Sequence, residues 1–137
     1  MKIVYYSGSG NTEKMAELIG EGIESTGKKA ELIKIESASV NDIKDEEVIV
    51  FGCPAYGDEN LEESYVEPFM DEIDGLITGK KVALFGSYGW GDGEWMRNWE
   101  ERIKSMGAQL VKEGLTVNEA PDDEDECINF GKEIAAI

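Results

Sequence analysis

Six consecutive residues, Ser7-Gly8-Ser9-Gly10-Asn11-Thr12, combine two glycines with three hydroxyls and one amide. They follow the apolar run Ile3-Val4-Tyr5-Tyr6 and precede an amphipathic stretch that begins near Glu13, so they form a tight strand-to-helix turn. Gly8 and Gly10 let the backbone turn sharply and approach a ligand closely. Ser7, Ser9 and Thr12 supply O–H donors, and the first N–H groups of the helix point outward without partners. Such a turn binds an anion, most often a phosphate; with no ligand it is an ordinary turn capped by Asn11 or Thr12. It lacks the lysine of a nucleoside-triphosphate loop, and Glu13 stands where a dinucleotide fingerprint has its third glycine.

Other chemistries are excluded by residue type. The chain has no histidine, which removes Ser-His-Asp and Cys-His systems and imidazole metal sites. Cys53 and Cys127 have no C-x-x-C spacing and make no disulfide framework; they read as buried, reduced thiols of a cytoplasmic protein. The acidic run from Asp122 to Glu126 suits the start of a last helix, where the dipole favours negative charge. It lacks the glycine turn of a calcium loop, so no metal is expected. Thirteen basic against 30 acidic residues give a net charge of −17. That argues against nucleic acid and anionic membrane surfaces and favours basic protein partners or simple solubility. The apolar run after Met1-Lys2 is too short for a signal or membrane helix.

The elements that position the turn can be read from the apolar pattern. Ile3 to Tyr6, Val48 to Cys53 and Val82 to Phe85 are near-continuous apolar runs, as expected of parallel strands covered on both faces. Leu32 to Ile35 is a weaker strand. Leu110-Val111 and Leu115-Thr116-Val117 form a last strand broken at Lys112-Glu113-Gly114. Helical spacing links Met15, Leu18, Ile19, Gly22 and Ile23, with Gly27 as a stop. It recurs at Val66, Phe69, Met70 and Ile73, where Pro68 sits near the helix start or bends it, and at Trp95, Trp99, Arg102, Ile103 and Met106 before Gly107. A last helix, capped by Asp122 or Asp123, turns Cys127, Phe130, Ile134 and Ala135 inward. Val40 to Ile43 reads as a short turn. Five strands and about five helices in alternation predict an α/β doubly wound parallel sheet, and residues 1–137 read as one domain.

In such sheets ligands bind beyond the carboxyl ends of the strands. There the chain places the Ser7 turn, then Pro54-Ala55-Tyr56-Gly57-Asp58-Glu59, then Ser87-Tyr88-Gly89-Trp90-Gly91-Asp92-Gly93, then Asn118. Aromatics on glycine-rich loop tips are costly to expose unless they cover something. Two of them could sandwich a flat ring while the Ser7 turn holds a phosphate tail. Flavin mononucleotide (FMN) suits that description.

With these loops in view the whole chain resembles a flavodoxin of the short-chain, clostridial type. The stretch Gly86 to Trp95 is the most specific part of the likeness. The resemblance implies the flavodoxin strand order 2-1-3-4-5 with FMN at the switch point between strands 1 and 3, as known for that family. It implies that Ser7 to Thr12 hold the phosphate without a basic side chain, and that Trp90 covers the outer face of the ring. Tyr56 takes the inner-face position, where close relatives often have methionine, and either stacks on the ring or packs aside on its loop. Gly57 matches the residue whose carbonyl turns toward flavin N5 on reduction, a peptide flip that needs positive φ at Gly57 or Asp58. Glu59 matches the carboxylate that accepts from flavin N3–H. Pro54, Ala55, Ser87, Tyr88, Gly89, Gly91 and Asn118 complete the implied contacts.

The implied function is low-potential one-electron transfer, cycling between semiquinone and hydroquinone, by a cytoplasmic monomer that is not an enzyme and meets redox proteins with basic docking surfaces. The charge supports it. No Lys or Arg lies in the three loops, and each carboxylate about 10 Å from an anionic reduced flavin opposes it by roughly 0.4 kcal/mol in water, or about 1.7 kcal/mol at an effective dielectric near 20. About 1.4 kcal/mol corresponds to roughly 59 mV for one electron. The competing enzyme reading, a flavin-dependent reductase, needs room for nicotinamide over the ring, which Trp90 obstructs. A phospho-receiver needs an acidic pair after the first strand, and a cysteine phosphatase an arginine after Cys53; neither is present.

Overall fold

The structure, a computed structural model, describes Met1 to Ile137. Its elements in chain order are β1 (Lys2–Tyr5), α1 (Asn11–Glu24), β2 (Glu31–Lys34), β3 (Val48–Gly52), α2 (Val66–Ile73), β4 (Lys81–Tyr88), α3 (Glu94–Ser105), β5 (Gln109–Leu110), β6 (Leu115–Asn118) and α4 (Glu124–Ala135). Two 3-10 turns, Ile35–Ser37 and Val40–Asp42, bridge β2 to β3, so the expected count of about five helices becomes four α-helices and these turns. All pairings are parallel, in the order β2-β1-β3-β4-β5, with β6 also on β4. This is the doubly wound order that the resemblance implied. The chain reverses its direction of winding between β1 and β3, and the crevice opens there.

The continuous apolar strands bury both faces. Val4, Phe51 and Leu84 pack with Phe69, Met70, Trp95 and Trp99 of α2 and α3. Ile3, Val50, Ala83 and Phe85 pack with Met15, Ile19, Phe130 and Ile134 of α1 and α4. Helices α1 and α4 cross at two glycines. A Cβ on Gly22 would overlap the carbonyl oxygen of Ile128, and one on Gly131 the carbonyl oxygen of Ile19. The helices end as the glycines predict, with Gly27 at φ 94° and Gly107 at φ 83°.

The last strand breaks because Gly114 turns its N–H to Glu100 Oε2 on α3 (2.7 Å) instead of to the sheet. Strand β4 runs three residues beyond the Phe85 end read from the sequence. Its extension Gly86-Ser87-Tyr88 pairs with Thr116-Val117-Asn118, and Gly86 lies where a Cβ would overlap the Cys53 carbonyl oxygen. Ser87 and Tyr88 are therefore strand residues rather than loop residues.

Both cysteines are buried. Burial pushes the Cys53 thiol up to about 12 and the Cys127 thiol to about 11, the latter helped by Glu126. A thiol whose folded pKa is raised ionises first in the unfolded chain, so the unfolded state loses protons before the folded one and stability falls as pH rises. The fall is expected between the unfolded value near 9 and the folded values near 11 to 12. Urea midpoints across that range should decline, while a thiol reagent at neutral pH should label the protein only after denaturation.

Candidate functional site

The Ser7–Thr12 turn joins β1 to α1, and its geometry follows from Gly10 at φ 98°, which starts the helix in the left-handed region. Ser7 Oγ accepts from the N–H groups of Gly10 and Glu13, both at 3.1 Å, and so fixes the loop from inside. The Thr12 hydroxyl, almost fully buried, meets Ser87 Oγ at 3.0 Å and accepts from Ser87 N–H at 3.4 Å. That contact ties the turn to β4. The backbone N–H groups of Gly8, Ser9 and Thr12 donate to no acceptor in the protein. They stand at the N-terminal end of a 14-residue helix, with Ser9 and Asn11 lining the cleft above them. An anion is the group that such donors fit. All three hydroxyls of the turn already make internal bonds, Ser9 Oγ accepting from Asn11 N–H at 3.5 Å, so the backbone N–H groups are its unclaimed donors.

That cleft encloses about 690 Å³ between Ser9, Asn11, Pro54, Ala55, Ser87, Tyr88, Gly89 and the segment Asn118–Asp122, a volume proper to a cofactor-sized ligand. Pro54-Ala55 reach it because Ala55 N–H donates to the Ser87 carbonyl at 2.9 Å and carries the β3–β4 pairing past the strand end. Asn118 lines the cleft, while its Nδ2 lies 3.4 Å from the Tyr88 carbonyl, to which Glu119 N–H also donates at 2.7 Å. Sequence reasoning missed Glu119, Ala120 and Asp122. The local signal is conformational: Glu119 sits at φ 56°, a left-handed residue of the kind that collects at functional sites.

The two aromatic loops stand at the rim. Trp90 is 63% exposed and Tyr56 44%. Tyr56 and Asn60 exchange backbone hydrogen bonds of 2.9 and 2.8 Å, which closes the turn around Gly57-Asp58-Glu59. Gly57 has φ 58°, with nothing within 4 Å of the place a Cβ would take. The Tyr56 ring lies edge-on to Tyr6, centroids 6.5 Å apart, so it rests against the end of β1 in this conformation.

Glu59 is not a solvated loop charge. It is 9% exposed and itself left-handed (φ 57°). Its Oε1 accepts from Asp92 N–H (3.2 Å) and its Oε2 from Trp95 N–H (3.4 Å), so the carboxylate caps α3 and joins the Tyr56 loop to the Trp90 loop. Gly91 makes room for it, since a Cβ there would overlap Oε1. A carboxylate has about four lone-pair positions, so two remain for a ligand. Asp92 and Glu94 approach Glu59, but Asp92 is paired with Arg97 at 3.0 Å and Glu59 with the helix N–H groups. The group is explained by the helix end without an ion.

The donor set thus fits a phosphate, and the cleft with its aromatic rim fits the rest of an FMN. Comparison with known proteins agrees. The family model described as Flavodoxin matches residues 3–131. The chain is 54% identical to a flavodoxin of Clostridium beijerinckii over 138 residues, covering all of both chains. It is 45% identical to a flavodoxin of Megasphaera elsdenii over 135 residues, 98% of each. The solution structure of two-electron reduced Megasphaera elsdenii flavodoxin superposes with a TM-score of 0.91 at 44% identity, over 99% of this chain and 98% of that one. A family model that matches residues 3–131 and full-length relatives at 54% and 45% identity place the chain: it belongs to the flavodoxin family, the FMN-binding, low-potential electron carriers that are not themselves enzymes.

Proposed function

We propose that residues 1–137 act as one FMN-binding domain in which Ser7 to Thr12 take the phosphate, Pro54, Ala55, Ser87, Tyr88, Gly89 and Asn118 the ribityl chain and the near ring edge, and Tyr56 to Glu59 with Trp90 and Gly91 the rest of the ring. The observation that carries this reading is the set of unclaimed N–H groups at Gly8, Ser9 and Thr12, opening into the 690 Å³ cleft at the start of α1. FMN, when bound, supplies the one-electron chemistry. The chain's part is to hold the phosphate through neutral donors, to exclude water with Trp90 and Tyr56, and to keep positive charge away. Open space around left-handed Gly57 leaves its peptide free to reorient, and the Glu59 carboxylate has capacity for a ring N–H.

The partners are redox proteins. With a net charge of −17, docking to basic surfaces is the reading that electrostatics supports. A cytoplasmic monomer accords with this, as does the lack of any helix long and apolar enough to cross a membrane.

Titration of the FMN-free protein with FMN and with riboflavin tests the site. FMN is expected to bind one to one and at least about 100-fold tighter than riboflavin, because several charge-assisted hydrogen bonds to the phosphate are at stake. Equal affinity for the two would remove Ser7 to Thr12 from the site. In the loaded protein the second one-electron potential is expected to lie well below the first.

A further inference from the structure

Beside the proposed cofactor rim lies a second aromatic group that the FMN reading does not use. Tyr65, directly before α2, is 48% exposed and stacks on Tyr6, with ring centroids 6.4 Å apart and planes 22° from parallel. Tyr56 closes the row edge-on to Tyr6. Exposed aromatics in contact on a soluble surface mark an interaction site. Rigid aromatic anchors with a polar rim are the usual energetic centre of an interface.

The position of the row is structural. Glu62, almost wholly buried, accepts from the N–H groups of Ser64 (2.6 Å), Tyr65 (2.8 Å) and Val66 (3.1 Å). Its carboxylate fixes the backbone at Tyr65, so the ring is presented with little freedom to lose on binding. Tyr6 is fixed in turn at the end of β1, where its N–H donates to the Gly52 carbonyl at 2.9 Å. Acidic residues accompany the row. Glu36 and Glu62 are among the charges that raise the Tyr6 phenol after burial itself; Asp58 and Glu63, each two residues along the chain from a tyrosine of the row, are exposed, and no residue from Asp45 to Gly79 is basic.

We infer that the Tyr56–Tyr6–Tyr65 row is the docking anchor for the redox partner, with Tyr65 as its most exposed ring, and that it fits a protein surface on which lysines or arginines ring an apolar depression. This rests on the FMN reading above and names the partner surface of that site. An apolar depression seats the exposed ring of Tyr65. Partner cations meet Glu36, Asp58 and Glu63 and can lie over the tyrosine faces. Tyr56 belongs both to this row and to the cofactor rim, so a partner seated on Tyr65 comes to rest against the edge of the flavin site.

The test uses the FMN-loaded, fully reduced protein, with a lysine-ringed c-type cytochrome as acceptor in stopped flow. Tyr65→Ser is expected to lower the second-order rate about five- to tenfold. FMN affinity, both potentials and the rate with a small uncharged oxidant should stay unchanged. Tyr65→Phe should keep the rate, because the ring and not the hydroxyl fills the depression. Glu63→Gln should flatten the salt dependence of the rate without altering the spectrum. A Tyr65→Ser rate within twofold of the parent overturns the proposal, and so does an equal loss with the small oxidant. Failure to bind FMN at all would instead overturn the underlying reading, which titration of the parent protein reports separately.

Discussion

Alanine at Gly131 is expected to lower the stability of the FMN-free protein by roughly 2–4 kcal/mol, the upper range of overpacking costs. The new methyl group would overlap the Ile19 carbonyl oxygen, and its counterpart at Gly22 the Ile128 carbonyl oxygen. Both obstacles are backbone, so no rotamer change relieves them; α1 and α4 must move apart. Better helix propensity returns only about 1 kcal/mol to alanine. The consequence reaches function because the first turn of α1 is the proposed phosphate cradle. Moving α1 disturbs the Thr12–Ser87 contact that ties the cradle to β4. Since FMN binds the folded state, it should recover about 4 kcal/mol at a concentration 1,000 times its dissociation constant. Urea unfolding with and without FMN measures both numbers. A Gly131→Ala protein as stable as the parent without FMN would show that the helices have room to spare.

Nothing in the residue types at 22 and 131 announces this crossing. Each glycine looks like a weak point in its own helix, and only the partner helix, more than 100 positions away, explains it. The same limit separates what could be read from what could not. The covered stretches Val48–Gly52 and Val82–Phe85 were legible because burial on both faces leaves no polar side chain there. The break at Gly114 was legible because Lys112 and Glu113 interrupt an apolar run. The extension of β4 was not, since Gly86-Ser87-Tyr88 has no strand character of its own and pairs only because β6 is there. The order of the strands came from resemblance, as no pattern within a strand says which neighbour it will take. At the site, the glycine–hydroxyl turn declared an anion, but the division of labour within it did not show: Ser7 and Thr12 spend their hydroxyls on the loop and on β4. Tyr65 gave no signal either, because a tyrosine before a helix is unremarkable until Tyr6 is found stacked beneath it.

Glu59→Ala is expected to weaken FMN binding by about 10- to 100-fold, the loss of a hydrogen bond to a charged acceptor worth roughly 1.5–3 kcal/mol. The FMN-free protein should lose about 1 kcal/mol as well, the usual worth of a helix cap. The two losses have separate origins. Without ligand, the carboxylate holds the Asp92 and Trp95 N–H groups and joins the loops of Tyr56 and Trp90. In the proposed FMN complex, its remaining lone pairs are offered to the ring. Glu59→Gln separates the roles. Its amide oxygen keeps one helix N–H, so stability without FMN should stay near the parent value, while the missing charge weakens ligand binding. Removing that negative charge should also raise the potential at which the second electron enters, more at low salt than at high salt. Thermal unfolding without FMN, FMN titration and a redox titration give the three readouts. If Glu59→Gln binds FMN as tightly as the parent and leaves the second potential in place, Glu59 is a cap for α3 and nothing more.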